Sequence, residues 1–443
     1  MNSFLNGVGP FVSFSALPML AGLLLPPGKL GTWLRQVAIV AAVIVPVCFM
    51  ALAVVFYIRP SRPVFFDYSV NYDAAAALYG QGTSPYQIEA AYSFPLPTFF
   101  LYWAGSLFGH LEKSSAWVLW WIGGAILWSG CAIFLLRSIA PARNIRERDC
   151  LRYACVAIPA MTTLWQGQTA VFILAGLVLL HEALQQVQNR RAFPSLMGGV
   201  GLAWAALIKP QLALVGLGLG AWAILAWSQN RRKVAAQVAT LLAAAVITAT
   251  TLIAVSLVLP GGITLDTYRD FITQALPKVA MPSSGLSVVG SPAFTAASIA
   301  ATLGATDATV TLVSNAVTLV VLAFAIYWTL RRAQRPLIEI AAGWGVWAMV
   351  APRVTWPWYA VWCLPFFLLA IREALSRPRA TFRLCGFVVA LCLLNLQVDS
   401  LLVTLGTTFL LMMLLWISFT EAPSLEDKTT IEAQTAIEST EHH

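Results

Sequence analysis

With 443 residues, 59% of them hydrophobic and only 10% charged, the chain is too apolar for a soluble protein and reads as a polytopic membrane protein. The net charge of +8 is not a nucleic-acid footprint: residues 421–443 hold six acids against Lys428, a tail of −5, which leaves +13 on residues 1–420. That positive charge sits in short loops between apolar runs, the positive-inside pattern. The seven cysteines show no CxxC or Cys/His spacing, so neither a disulfide framework nor a metal site is indicated, and no cofactor is called for.

Residues 1–35 read as an N-terminal cytoplasmic or interfacial segment, because the apolar run 11–26 is broken by Pro18 and closed by Pro26 and Pro27. Lys29 and Arg35 precede Val37 to Ile58, the first convincing span, so the chain is expected to start inside and Asp67 to emerge outside. In the first outer loop, 61–115, Ser69 or Asn71 is expected to cap a short interfacial helix. Its Ala74 to Ala77 run favours helix, and Gly80 and Gly82 stop it. Asp67 lies ahead of that helix as a loop acid.

Phe94 to Leu111 is apolar and long enough to cross. A full crossing would turn five arginine clusters outward, those around Arg143, Arg190, Arg231, Arg331 and Arg372. The segment is therefore expected to be re-entrant or to lie along the outer surface, which puts non-helical backbone beside a protein-lined cavity. The remaining spans fall near 116–137, 151–165, 170–187, 194–208, 211–228, 235–259, 309–330, 337–351, 358–371, 384–397 and 400–419. With the first they make about twelve transmembrane helices of an all-α fold. The body extends over 36–420 with a long outer loop at 260–308, and the acidic tail 421–443 reads as disordered.

On this parity every polar motif of the apolar body faces the side of Asp67. In Trp165-Gln166-Gly167-Gln168 a glycine breaks the helix, and Gln168 either repairs the broken backbone or binds a phosphate or sugar hydroxyl. Lys209 joins two apolar runs immediately before Pro210, as a snorkelling interfacial lysine or as an anion site. Arg353 stands between two outer span ends among Trp356, Trp358 and Tyr359, where a phosphate or carboxylate partner would suit it.

Taken in series, these stretches resemble a family. The Asp67 stretch with Tyr72, Gly82 and Tyr86, then Phe94-Pro95-Leu96-Pro97, Gly167-Gln168, Lys209-Pro210-Gln211 and Pro352 to Tyr359 look like the GT87 family of polyprenol-phosphate-sugar-dependent glycosyltransferases. The resemblance implies a GT-C fold in a bacterial inner membrane, with its active site facing the periplasm. It implies transfer of a sugar, commonly mannose, from a polyprenyl-phosphate carrier to a lipid or glycan acceptor, with Asp67 in the place of the base. Relatives often carry a histidine in the segment matching Trp356 to Tyr359, which this chain lacks.

Direct displacement at a sugar carbon needs a base for the acceptor hydroxyl and cations for the departing phosphate. Asp67 is the expected base, with Asp73 its competitor. Lys209 and Arg353 are expected to hold the donor phosphate, and Gln168, Tyr72, Tyr86, Asp73, Trp356 and Tyr359 are available for sugar. The rival class is a transporter or flippase for a lipid-linked glycan, which usually places ionisable groups inside its spans; here the acids lie almost entirely in loops.

Overall fold

A computed structural model of the chain describes residues 12–57, 66–81, 84, 86, 111–142, 144–158, 163, 167–188, 193–258, 263–275, 291–332, 335–352, 357–375 and 380–395. Among these residues all regular structure is helical. The helices are α1 (Ala16–Leu24), α2 (Lys29–Tyr57), α3 (Phe66–Gln81), α4 (Lys113–Ser138), α5 (Ile145–Ala157), α6 (Ala170–Gln188), α7 (Phe193–Ile208) and α8 (Ala213–Ser228). They continue as α9 (Arg232–Val258), α10 (Leu265–Asp270), α11 (Pro292–Thr302), α12 (Asp307–Arg331), α13 (Leu337–Val350), α14 (Leu364–Leu375) and α15 (Ala380–Asn395). Short 3-10 turns at Pro210–Leu212 and Pro357–Cys363 precede α8 and α14, and a π turn, Phe271–Ala275, extends α10.

Among the described residues six helical stretches are long and apolar enough to cross a membrane: Lys113–Ser138, Ala170–Val187, Pro210–Ser228, Arg232–Val258, Asp307–Arg331 and Trp358–Leu375. The protein is a multi-pass helical membrane protein. Four further apolar helices, within 12–24, 195–208, 337–350 and 381–395, fall short of that length. The expected span 151–165 is not one helix, because α5 stops at Ala157 and Ile158 turns to an extended backbone. The Phe94 to Leu111 segment, apart from Leu111 itself, lies outside the described residues, as do the expected span 400–419 and the acidic tail.

Two further stretches take defined form. Within the N-terminal stretch, α1 packs on α2 and α15, with Met19 and Leu23 buried. There Ser15 Oγ meets Tyr153 Oη at 3.2 Å, and Ser13 Oγ donates to Cys392 O at 3.0 Å. The long outer loop is structured in part, since α10 begins with a reciprocal Thr264/Thr267 capping box that satisfies orphan N–H groups at its start.

The bundle has two ends of different character. At one, α4 finishes with its last carbonyls taken by long polar side chains: Gln185 Nε2 donates to Ser138 O at 2.9 Å and Arg372 Nη1 to Ile139 O at 3.2 Å. Arg335 pairs with Glu339 at 3.9 Å and Glu373 at 3.7 Å, and Arg146 Nη2 donates to Thr381 Oγ1 at 2.7 Å. Buried beneath them, Arg35 Nε meets Asp149 Oδ2 at 3.2 Å while its other nitrogens reach Gly22 O and Thr32 Oγ1. Removing one member of a buried pair leaves the other charge uncompensated. Asp149→Ala is therefore expected to destabilise the fold by about 3–5 kcal/mol. The readout is a fall in melting temperature in detergent, largely recovered in an Arg35→Met/Asp149→Leu double variant.

At the other end lie the start of α4, the starts of α6 and α8, and the finish of α7 and α13. The α6–α7 pair sets this geometry. The two helices touch through backbone, and a Cβ built on Gly176 would sit 2.6 Å from Gly201 O, so neither position has room for a side chain.

Candidate active site

Asp67 is not a loop residue, as expected, but lies in the first turn of α3, which begins at Phe66 and runs sixteen residues. Ser69 and Asn71 are consequently inside the helix rather than ahead of it. Tyr68, Asn71, Ala74, Ala75 and Leu78 are all buried. Their spacing is an i, i+3, i+4, i+7 stripe, and it turns one face of α3 toward the bundle. The helix ends at Gln81, between Gly80 and Gly82, as the glycines predict.

What receives that face is the break before α6. Gly167 adopts φ +74°, a left-handed backbone that glycine tolerates without penalty. A Cβ there would run into the Tyr68 side chain and lie 2.9 Å from Tyr68 Cα, so only glycine lets α3 settle onto this turn. Asn71 Nδ2 donates a long 3.5 Å bond to Gly167 O. The Tyr68 ring packs edge-on against Trp120, centroids 5.8 Å apart, and Trp120 packs in turn on Phe172 of α6.

Two buried polar atoms of this contact, Tyr68 Oη and Asn71 Oδ1, have no hydrogen-bond partner among the described residues. A buried polar atom left unpaired costs about 1–3 kcal/mol, so both are places for a ligand or water to bind. Burial, and then neighbouring Tyr72, push the Tyr68 phenol well above its ordinary range, which keeps it a donor. Neither residue was a candidate from sequence. The stripe was readable, but a lone asparagine within it looks like a capping residue until the start of the helix is known.

Gln168 is buried beside Gly167, and its backbone N–H donates to Thr163 O at 2.9 Å. Thr169 O then accepts from Phe172 and Ile173 N–H as α6 begins. Lys209 closes α7: its N–H donates to Ala205 O at 3.0 Å, and its extended backbone, φ −138° and ψ 102°, is what a following proline demands. The side chain is only 5% exposed and does not snorkel to water. Its Nζ lies 5.4 Å from the centre of the Tyr359 ring, which stacks at 4.3 Å on Trp362. Trp362 donates to Gly345 O at 3.2 Å and Gln211 to Ala348 O at 3.2 Å, so the turn bearing Tyr359 and the turn after Lys209 are both tied to α13.

Three sequence candidates are engaged elsewhere. Tyr72 Oη donates to Leu111 O at 2.6 Å, and Asp73 pairs with Lys113 at 2.7 Å on the surface. Both tie α3 to the start of α4. Tyr86 is buried with its ring 5.5 Å from Phe271 of the π turn. The side chain of Asp67, and the whole of Arg353 and Trp356, lie outside the described residues.

Thus α3 with Asp67 is seated on Gly167, next to Gln168 in the chain, and Lys209 and Tyr359 stand together at the same end of the bundle. That end is opposite the arginines. Comparison with protein-family models, with curated proteins and with solved structures found no match.

Proposed function

We propose that the protein is a membrane glycosyltransferase of GT-C type, with about twelve crossings when the shorter apolar helices are counted. It takes a sugar from a polyprenyl-phosphate carrier and passes it to a hydroxyl of a lipid or glycan acceptor on the periplasmic side. The observation that carries this reading is the seating of α3 on Gly167: it puts position 67 one helical turn from Asn71, beside buried polar atoms that lack partners.

In the proposed reaction the acceptor oxygen attacks the anomeric carbon, the bond from that carbon to the phosphate oxygen breaks, and Asp67 takes the acceptor's proton. The configuration inverts and the polyprenyl phosphate leaves with the electron pair. Lys209, with Arg353, offsets its developing charge. Tyr68, Asn71 and Gln168 then stand where sugar hydroxyls need partners, a role for which Tyr72 and Asp73 are less suited because their polar atoms are already bonded.

Lys209→Ala is expected to weaken binding of the lipid-phosphate donor about tenfold or more, the loss of one charge-assisted bond. Titration of the purified protein with polyprenyl-phosphate sugar reads this directly. The test of the whole proposal is incubation with radiolabelled polyprenyl-phosphate sugars and candidate lipid acceptors, followed by identification of the product.

One feature favours the transporter reading. His181 is buried in the middle of α6, with Nδ1 unpartnered among the described residues, and ionisable groups inside spans are frequent in transporters. Movement of a labelled lipid-linked sugar across a vesicle membrane with no new glycosidic product would select that reading instead.

A further inference from the structure

We infer that the groove between the end of α4 and the start of α5 is a binding site for an anionic phospholipid, independent of the site above. The groove has a volume of about 310 Å³, and Arg137, Arg148, Arg152, Ile133, Leu136 and Leu151 line it. On α4, Ile133, Leu136 and Arg137 are spaced i, i+3, i+4. On α5, Arg148, Leu151 and Arg152 repeat that spacing, so each helix presents apolar groups and guanidinium on one face.

Three observations point to an anion. Other arginines of this end are occupied, Arg35 by Asp149 and Arg335 by Glu339 and Glu373. The side chains of Arg137, Arg148 and Arg152 make neither an ion pair nor a hydrogen bond among the described residues, and no carboxylate lines the groove. Finally, Arg148 sits at the start of α5, where the helix dipole disfavours a cation, so its presence there does not serve the helix. Three like charges on one groove repel until a counter-charge arrives.

The apolar part of the groove distinguishes a lipid from a free phosphate. Ile133 lies one turn deeper than Arg137 and is 51% exposed, while Leu151 is buried as the floor. Phosphate alone would cover the guanidinium groups and leave Ile133 bare. A phospholipid places its phosphodiester among the arginines and the first methylenes of its acyl chains along Ile133 and Leu136. Arginines at the end of a helical bundle, over an apolar wall, match the charge layering of an anionic leaflet.

The test is native mass spectrometry of the full-length protein, extracted from vesicles of equal phosphatidylglycerol and phosphatidylethanolamine with matched acyl chains. The wild type is expected to retain phosphatidylglycerol preferentially. In Arg137→Gln/Arg148→Gln/Arg152→Gln its retention is expected to fall on the order of a hundredfold, about fivefold per cation lost. Arg231→Gln/Arg232→Gln, at the same end, is expected to change it less than about twofold, and replacing the three groove arginines by lysine should keep most of it. If the triple glutamine variant does not fold, Arg148→Gln alone is expected to show the fivefold step. Equal retention of both lipids by the wild type, unchanged retention in the glutamine variants, or displacement of the lipid by about 10 mM inorganic phosphate would overturn the assignment.

Discussion

Asp67→Asn is expected to lower the rate of sugar transfer by about 10²–10⁴-fold, the usual worth of a positioned base, while donor binding and melting temperature stay at wild-type values. Amide for carboxylate keeps size and removes only the proton acceptor. Asp73→Asn supplies the internal control, because that carboxylate is paired with Lys113 on the surface and its loss is expected to leave turnover near normal. Radiolabelled transfer assays on the two variants decide the assignment. Normal turnover by Asp67→Asn removes the proposed base, and a collapse in Asp73→Asn would move the base six residues along α3.

Gly167→Ala is expected to unseat α3. The substitution forces a side chain into the left-handed region and, at the same time, drives a methyl group into Tyr68. The first penalty is about 1–2 kcal/mol and the second about 1–3 kcal/mol, enough together to free a helix that touches the bundle along one stripe. Faster hydrogen exchange over residues 66–81 with unchanged exchange in α6 and α7 is the expected signature, accompanied by loss of transfer. A companion Tyr68→Ala keeps the Cβ and Cα that the new methyl group meets, so it is expected to leave α3 unseated.

Much of this was legible in the amino-acid sequence, for identifiable reasons. Lys209 stood out because a lysine and a proline between two apolar runs break both hydropathy and helix, and the structure places it buried where the helix breaks. Gly167 and Gln168 were visible for the same reason. The class of fold followed from composition, since a chain this apolar has only helices with which to satisfy its backbone in lipid.

Other features were hidden because they depend on where an element starts or on contacts distant in sequence. Asp67 read as a loop acid because nothing local marks Phe66 as the start of a helix. Asn71 read as a cap because its partner, Gly167, is 96 residues away. Tyr72 and Asp73 looked like sugar ligands for want of Leu111 and Lys113, which fold back on them from beyond the segment that follows α3. Tertiary partners, rather than propensity, decide such residues.

On the proposed function, the glycine contact between α6 and α7 would bear on how substrates fit. One helix carries Gln168 at its beginning and the other carries Lys209 at its finish, and the crossing at Gly176 and Gly201 leaves no slack for either to slide. The spacing between the backbone at Gln168 and the backbone at Lys209 is therefore held by a close-packed pair. Parts held by side chains, α3 and the turn bearing Tyr359, are the adjustable jaws. Selectivity for the length between a carrier's phosphate and the groups of its cargo would be cut into the rigid pair, and admission and release would fall to the jaws.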